Sequence, residues 1–129
     1  MACIVCFADS AAVLHSVQQG LNEGGHSIHI MSASRLTNEL RQAVQSLAPD
    51  LILLELSHAI DNPHLYFFLR SDRVTRNTPI ILVSAGRRLA HQAEIFDADG
   101  YLQRPFAAEQ FHNVVASHLP SRHRAVAAA

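Results

Sequence analysis

The sequence contains no lysine, and all ten of its basic residues are arginine. Schiff-base chemistry, a P-loop lysine and every other reaction that needs an ε-ammonium are thereby excluded. Charge of any kind is scarce, at 16% of residues where soluble chains average about 25%. Ten basic residues against eleven acidic ones leave a net charge of -1, so no surplus would draw nucleic acid or an anionic membrane. No stretch approaches the roughly 20 apolar residues of a membrane span. Residues 1–7 lack the basic n-region and apolar length of a secretory signal, and a cytoplasmic location is expected. Cysteine is limited to Cys3 and Cys6. Their C-x-x-C spacing falls inside an apolar run, where a strand would turn positions three apart to opposite faces, so they read as ordinary buried thiols.

What the chain does have is 129 residues, 49% of them apolar, which suits one domain with a real core. Apolar runs alternate with amphipathic stretches throughout. The run at 4–7 precedes a helical pattern over 11–21, in which Val13, Leu14, Val17 and Leu21 recur and which Asn22-Glu23-Gly24-Gly25 stops. A short strand over 27–31 leads to a helix over 35–47 with Leu36, Leu40, Ala43, Val44 and Leu47 on one stripe. Pro49-Asp50 breaks that pattern, and 51–56 is almost wholly apolar, as a central parallel strand covered on both faces should be. A polar loop is expected over 57–62. Pro63 then opens a helix carrying Leu65, Phe68 and Leu69 toward Arg70. The rest reads as a strand over 80–83, a helix over 89–96, a strand over 101–102 and a helix over 107–119 that Pro120 ends. Strict alternation of this kind predicts an α/β domain with a parallel sheet, right-handed crossovers and helices on both faces. The tail over 121–129, with Arg122, His123 and Arg124, is expected to be a frayed end or the start of a linker.

In an open parallel sheet, chemistry gathers outside the carboxyl ends of the strands. Those ends carry Ala8-Asp9-Ser10, Glu55-Leu56-Ser57, Ser84-Ala85 and Gln103-Arg104-Pro105-Phe106. Two carboxylates, a hydroxyl and a guanidinium thus converge where the strand bodies are apolar.

Over about residues 3 to 119 the sequence resembles the receiver domain of two-component response regulators. The resemblance rests on Val5-Cys6-Phe7-Ala8-Asp9-Ser10, where that family closes a strand with an acidic pair, and on Pro49-Asp50-Leu51-Ile52-Leu53-Leu54-Glu55-Leu56, its phosphoacceptor strand. It continues in Thr78-Pro79-Ile80-Ile81-Leu82-Val83-Ser84-Ala85, with the switch hydroxyl, and in Gly100-Tyr101-Leu102-Gln103-Arg104-Pro105-Phe106 at the family's Lys-Pro-Phe end. It implies a flavodoxin-like (βα)5 three-layer sandwich with strand order 2-1-3-4-5, spanning residues 1–119 and followed by a tail or linker over 120–129. It also implies protein partners: a histidine kinase, an output domain or a second copy. The face of the fourth helix, fifth strand and fifth helix, with Tyr101, Phe106 and Phe111, is the expected contact and switch surface.

The departures from the family pattern strike one reaction. Ala8 stands for the first acid of the pair, leaving Asp9; Glu55 stands for the phosphoaccepting aspartate; Arg104 stands for the lysine. Ser84 and Tyr101 keep the usual types, Ser57 follows on the loop, and Ala59 stands where a proline is usual. Phosphoryl transfer is nearly all positioning, and a misplacement of about 1 Å can cost about a hundredfold in rate. Glutamate is one methylene too long. With Asp9 and Glu55 the only carboxylates at the site, Mg²⁺ is expected to bind weakly or not at all. Arg104 offers Glu55 a bidentate ion pair that needs no metal. Such a pair fixes the domain in one state, left open between active-like and inactive-like, a longer carboxylate reaching toward Ser84 being a way to imitate the phosphorylated form. The alternative is that Glu55 and Arg104 each point into water. The sequence thus reads as a pseudo-receiver without enzymatic activity or cofactor, binding neither nucleic acid nor membrane.

Rival readings are a phosphoacceptor at Asp61 or Ser57, a hydrolytic triad of Asp9, His58 and Ser84, and a flavin or nucleotide site. Loop residues lack rigid support for in-line transfer, Ser84 has no G-x-S-x-G elbow, and the loop after the first strand lacks a glycine-rich phosphate cradle. The nine histidines form no recognised ligand set.

Overall fold

The computed structural model describes residues 3–8, 15, 27–32, 36–61, 63–84, 86–104 and 106–118. The side chains of His58, Ala59, Asp61 and Ala108 fall outside that description, as do the expected helix over 11–21 apart from His15, and the tail from 119 onward.

The five apolar runs become five parallel strands: β1 (Cys3–Phe7), β2 (Ser27–Met31), β3 (Leu51–Glu55), β4 (Ile80–Ser84) and β5 (Gly100–Gln103). They lie in the order β2-β1-β3-β4-β5, which is the predicted topology. Phe7 aligns with Met31 and Leu54, Glu55 with Val83, and Ser84 with Gln103, so the carboxyl ends of all five strands share one edge of the sheet.

Because the pleat alternates, the central strands β1, β3 and β4 feed two cores. On one face Ile4, Cys6, Leu51, Leu53, Ile81, Val83 and Leu102 pack with Phe111 and Val115 of the last helix, α5 (Ala108–His118). On the other, Val5, Phe7, Ile52, Leu54, Ile80 and Leu82 meet α1 (Asn38–Leu47), α3 (Pro63–Ser71) and α4 (Leu89–Ile95) through Val44, Leu65, Leu69, Leu89 and Ala93. Burial on both faces is what the unbroken apolar runs require.

Two elements differ from the sequence expectation. The loop expected over 57–62 is helical from Leu56 to Asp61, forming α2. Neither Gly nor Pro interrupts it, Leu56 packs on the core, and Ser57 faces solvent, so a short helical turn satisfies the backbone without exposing the strand end. Helix α1 begins at Asn38, not Arg35, because the Thr37 hydroxyl caps it by accepting the Leu40 N–H at 3.1 Å. It ends at Ala48, in the left-handed region at φ 44°, whose N–H returns to the Val44 carbonyl.

Asp50, which the sequence suggested only as a helix breaker, is buried and holds the start of the sheet. Its Oδ2 accepts the Cys3 N–H at 2.9 Å, and its own N–H donates to the Cys3 carbonyl at 2.8 Å.

Candidate functional site

The parallel register brings Ala8, Glu55, Ser84 and Arg104 to one edge of the sheet. Ala8 is 3% exposed and belongs to the core on the α5 side, where it presents a methyl group and no oxygen ligand. Glu55 ends β3 half-buried, on the same pleat as Leu51 and Leu53. Its carboxylate makes itself felt at Cys6, whose thiol is pushed up to about 12 first by burial and then by the negative charge of Glu55. Arg104 is half-buried just beyond β5, and its backbone N–H donates to the Ser84 carbonyl at 2.8 Å. Alternation from Leu102 sets Arg104 on the pleat of Val83 and Glu55. Two strand spacings, about 9.5 Å, separate β3 from β5, a gap that an arginine and a glutamate can close from opposite sides.

Ser84 is placed differently. It falls on the opposite pleat, with Ile80 and Leu82, and its Oγ accepts the Gly86 N–H at 3.1 Å. A local turn of this kind engages the acceptor side of the hydroxyl in its own loop and leaves its O–H to donate. Ser57 is exposed on α2. Asp9, Ser10, Ala85 and Pro105 lie outside the described residues, as do the side chains of His58 and Asp61; the proposed triad and the alternative acceptor Asp61 therefore rest on positions the structure does not describe.

The expected contact surface needs one correction. Phe111 is fully buried because it lies on the α5 stripe that faces the sheet, and Phe106 is half-buried and stacked on it at 5.9 Å and 17°. Tyr101 alone of the three is presented to solvent, at 45% exposure. Arg87, Arg88 and His91 are also exposed around α4.

No family model matches the sequence, and no curated protein matches it either. Solved structures do match its fold. The chemotaxis response regulator CheY4 of Vibrio cholerae superposes with a TM-score of 0.74 over 92% of this chain and 99% of its own, at 20% identity. A response regulator receiver protein from Burkholderia phymatum gives 0.73 over 91% and 94%, at 19% identity. The receiver domain of a Pseudomonas aeruginosa sensor histidine kinase, with magnesium coordinated in its active-site cleft, gives 0.73 over 91% and 96%, at 17% identity. The chain has the CheY-like receiver fold.

On that receiver fold, the donor set at the strand ends can be tested for a divalent cation. Mg²⁺ takes about six oxygen ligands in near-octahedral geometry. Among the described residues no three His, Cys, Asp or Glu side chains gather where they could hold a metal. Among the described residues Glu55 is the only carboxylate at these strand ends, and Asp9, the other one expected there, lies outside them. The described residues therefore hold only part of the set expected at a Mg²⁺ site. Among the described residues, too, no helix is long and apolar enough to cross a membrane.

Sequence reasoning overlooked a second polar cluster, at the opposite edge of the receiver sheet. Arg70 of α3 donates from Nη2 to Asp99 Oδ2 at 3.1 Å and to the Asp97 carbonyl at 3.0 Å. Tyr66 donates its hydroxyl to the Phe96 carbonyl, and His118 of α5 sets Nε2 2.9 Å from the Asp99 carbonyl oxygen. The turn between α4 and β5 is thus gripped by helices from both faces. Partners about thirty residues apart leave no periodicity to read.

Proposed function

We propose that this chain is a signalling module of receiver type that acts by binding a protein partner and does not accept a phosphoryl group at Glu55. The observation that carries this reading is the trio at the strand ends: a buried methyl at Ala8, a carboxylate one methylene longer than aspartate at Glu55, and a guanidinium at Arg104. Each change removes one component of in-line transfer: an acid for the metal, the position of the nucleophile, and the compact ammonium. Asp9 and Glu55 supply two negative charges and Arg104 one positive, a net -1 that would hold a divalent ion only weakly.

In this reading Glu55 and Arg104 form an ion pair across the strand ends. The pleat they share and the hydrogen bond that ties the Arg104 backbone to β4 support it. The domain is held in one state, and information passes by contact with a histidine kinase, an output domain or another protein. Exposed Tyr101, with Arg87, Arg88 and His91 nearby, supports the α4-β5-α5 face as the contact surface.

Incubation of the whole chain with acetyl phosphate and Mg²⁺, followed by intact-mass analysis, tests the reading. The mass should stay unchanged. A stoichiometric phosphoryl adduct mapped to Glu55, formed faster with Mg²⁺, would refute it.

A further inference from the structure

We propose that the apolar groove between α3 and α4 is the interface of a symmetric dimer of this chain. The groove has a volume of about 260 Å³ and is lined by Pro63, Tyr66, Phe67, Arg70, Ile95 and Phe96. Single exposed apolar side chains on a soluble protein need no explanation. Here Phe67, at 72% exposure, and Ile95, at 62%, stand on facing walls of one groove.

The groove is also held in shape. Tyr66 donates to the Phe96 carbonyl, the two rings lie 5.4 Å apart, and the Arg70 guanidinium sits 5.5 Å over the Tyr66 ring while donating to Asp97 and Asp99. Little side-chain order remains to be lost on binding, which favours association.

Its shape and charge point to a second copy as the occupant. A projecting phenyl group and a recess able to receive one occur on the same patch, and a two-fold interface requires this self-complementarity. The charges agree. Both helices follow parallel strands on one face of the sheet, so they run in the same direction. With Arg70 already paired to Asp99, exposed Arg73 and Arg76 follow the carboxyl end of α3, and exposed Glu94 and Asp97 mark that of α4. A two-fold axis parallel to the helices lays α3 of one copy over α4 of the other, setting each basic end against an acidic end. A peptide of one sign, or an anionic bilayer, would be attracted by one row and repelled by the other.

Sedimentation equilibrium of the full chain over a range of concentrations tests this. The expected result is a monomer–dimer equilibrium that Phe67→Asp weakens about tenfold or more and Tyr101→Ala leaves unchanged. Arg73→Glu should also weaken it, and adding Glu94→Arg should restore it; as exposed substitutions, these answer the question even if Phe67→Asp perturbs folding. A monomer at every concentration, a dimer indifferent to Phe67→Asp and to both charge reversals, or one lost with Tyr101→Ala would overturn the proposal. The Tyr101 outcome also separates this surface from the proposed partner face.

Discussion

The carboxylate of Asp99 and the guanidinium of Arg70 meet at 3.1 Å, and the same carboxylate oxygen accepts the Ile80 N–H at 2.8 Å. One oxygen thus joins α3, the start of β4 and the turn before β5. Ile80 is fully buried, so removing the acceptor strands a backbone donor away from water. Asp99→Ala should therefore destabilise the fold by about 1–3 kcal/mol. Asp99→Asn keeps an acceptor for Ile80 and loses only the charge facing a partly exposed arginine, so its effect should be smaller. Urea denaturation of the two variants checks the order; equal losses would show that the charge, not the Ile80 bond, is what matters.

Gly100 is required for a reason of space. A Cβ there would lie 3.0 Å from His118 Cε1 and 3.0 Å from Ile81 Cδ1. The His118 ring cannot easily retreat, because Nδ1 lies 2.8 Å from the Val114 carbonyl oxygen and Nε2 2.9 Å from that of Asp99. Gly100→Ala should cost about 1–3 kcal/mol, the range for overpacking a filled site. In a His118→Ala background the same substitution should cost less, since half of the obstruction is gone. Thermal melts of the four chains measure that coupling, and strict additivity would show that His118 is not the obstacle.

The Cys6 thiol, pushed up to about 12 by burial and then by Glu55, should be inert in the native state. In the unfolded chain it returns to a value near about 8.5. The native state therefore binds the proton more tightly, and the associated stability is complete below about pH 8.5 and is lost as pH rises toward the folded value. Cys6→Ala should reduce the loss of stability between pH 8.5 and pH 11, roughly the range the linkage spans. A thiol reagent at pH 8 should modify Cys6 only after denaturant is added; rapid labelling of native protein would contradict the burial.

The parallel sheet was legible because its signal is local: runs such as Leu51 to Leu54 and Ile80 to Val83 are apolar at every position, as strands buried on both faces must be. The strand ends were legible because parallel topology alone carries Ala8, Glu55, Ser84 and Arg104 to one edge. Side-chain direction was not. Whether Phe111 faces the sheet depends on the phase of α5, and the engagement of Ser84 with Gly86 depends on loop conformation that residue types leave open. The exposure of Phe67 was hidden for a related reason. Tyr66, Phe67 and Phe68 are adjacent aromatics, and only the packing of Leu65 and Leu69 on the sheet decides which of them projects outward.

A double-mutant cycle on Glu55 and Arg104 tests the reading of the strand ends most directly. If the two form the proposed pair, Glu55→Gln and Arg104→Ala are each destabilising, and the double variant loses less than their sum. A coupling of roughly 0.5 kcal/mol or more is expected for residues in contact. Arg104→Lys should recover only part of it, because an ammonium is a point donor and cannot engage both carboxylate oxygens as a planar fork does. Both residues are half-buried, so the coupling should persist at salt concentrations that screen an exposed pair. Losses that add without coupling would mean that Glu55 and Arg104 are held by different neighbours, and the single locked state would then need another origin.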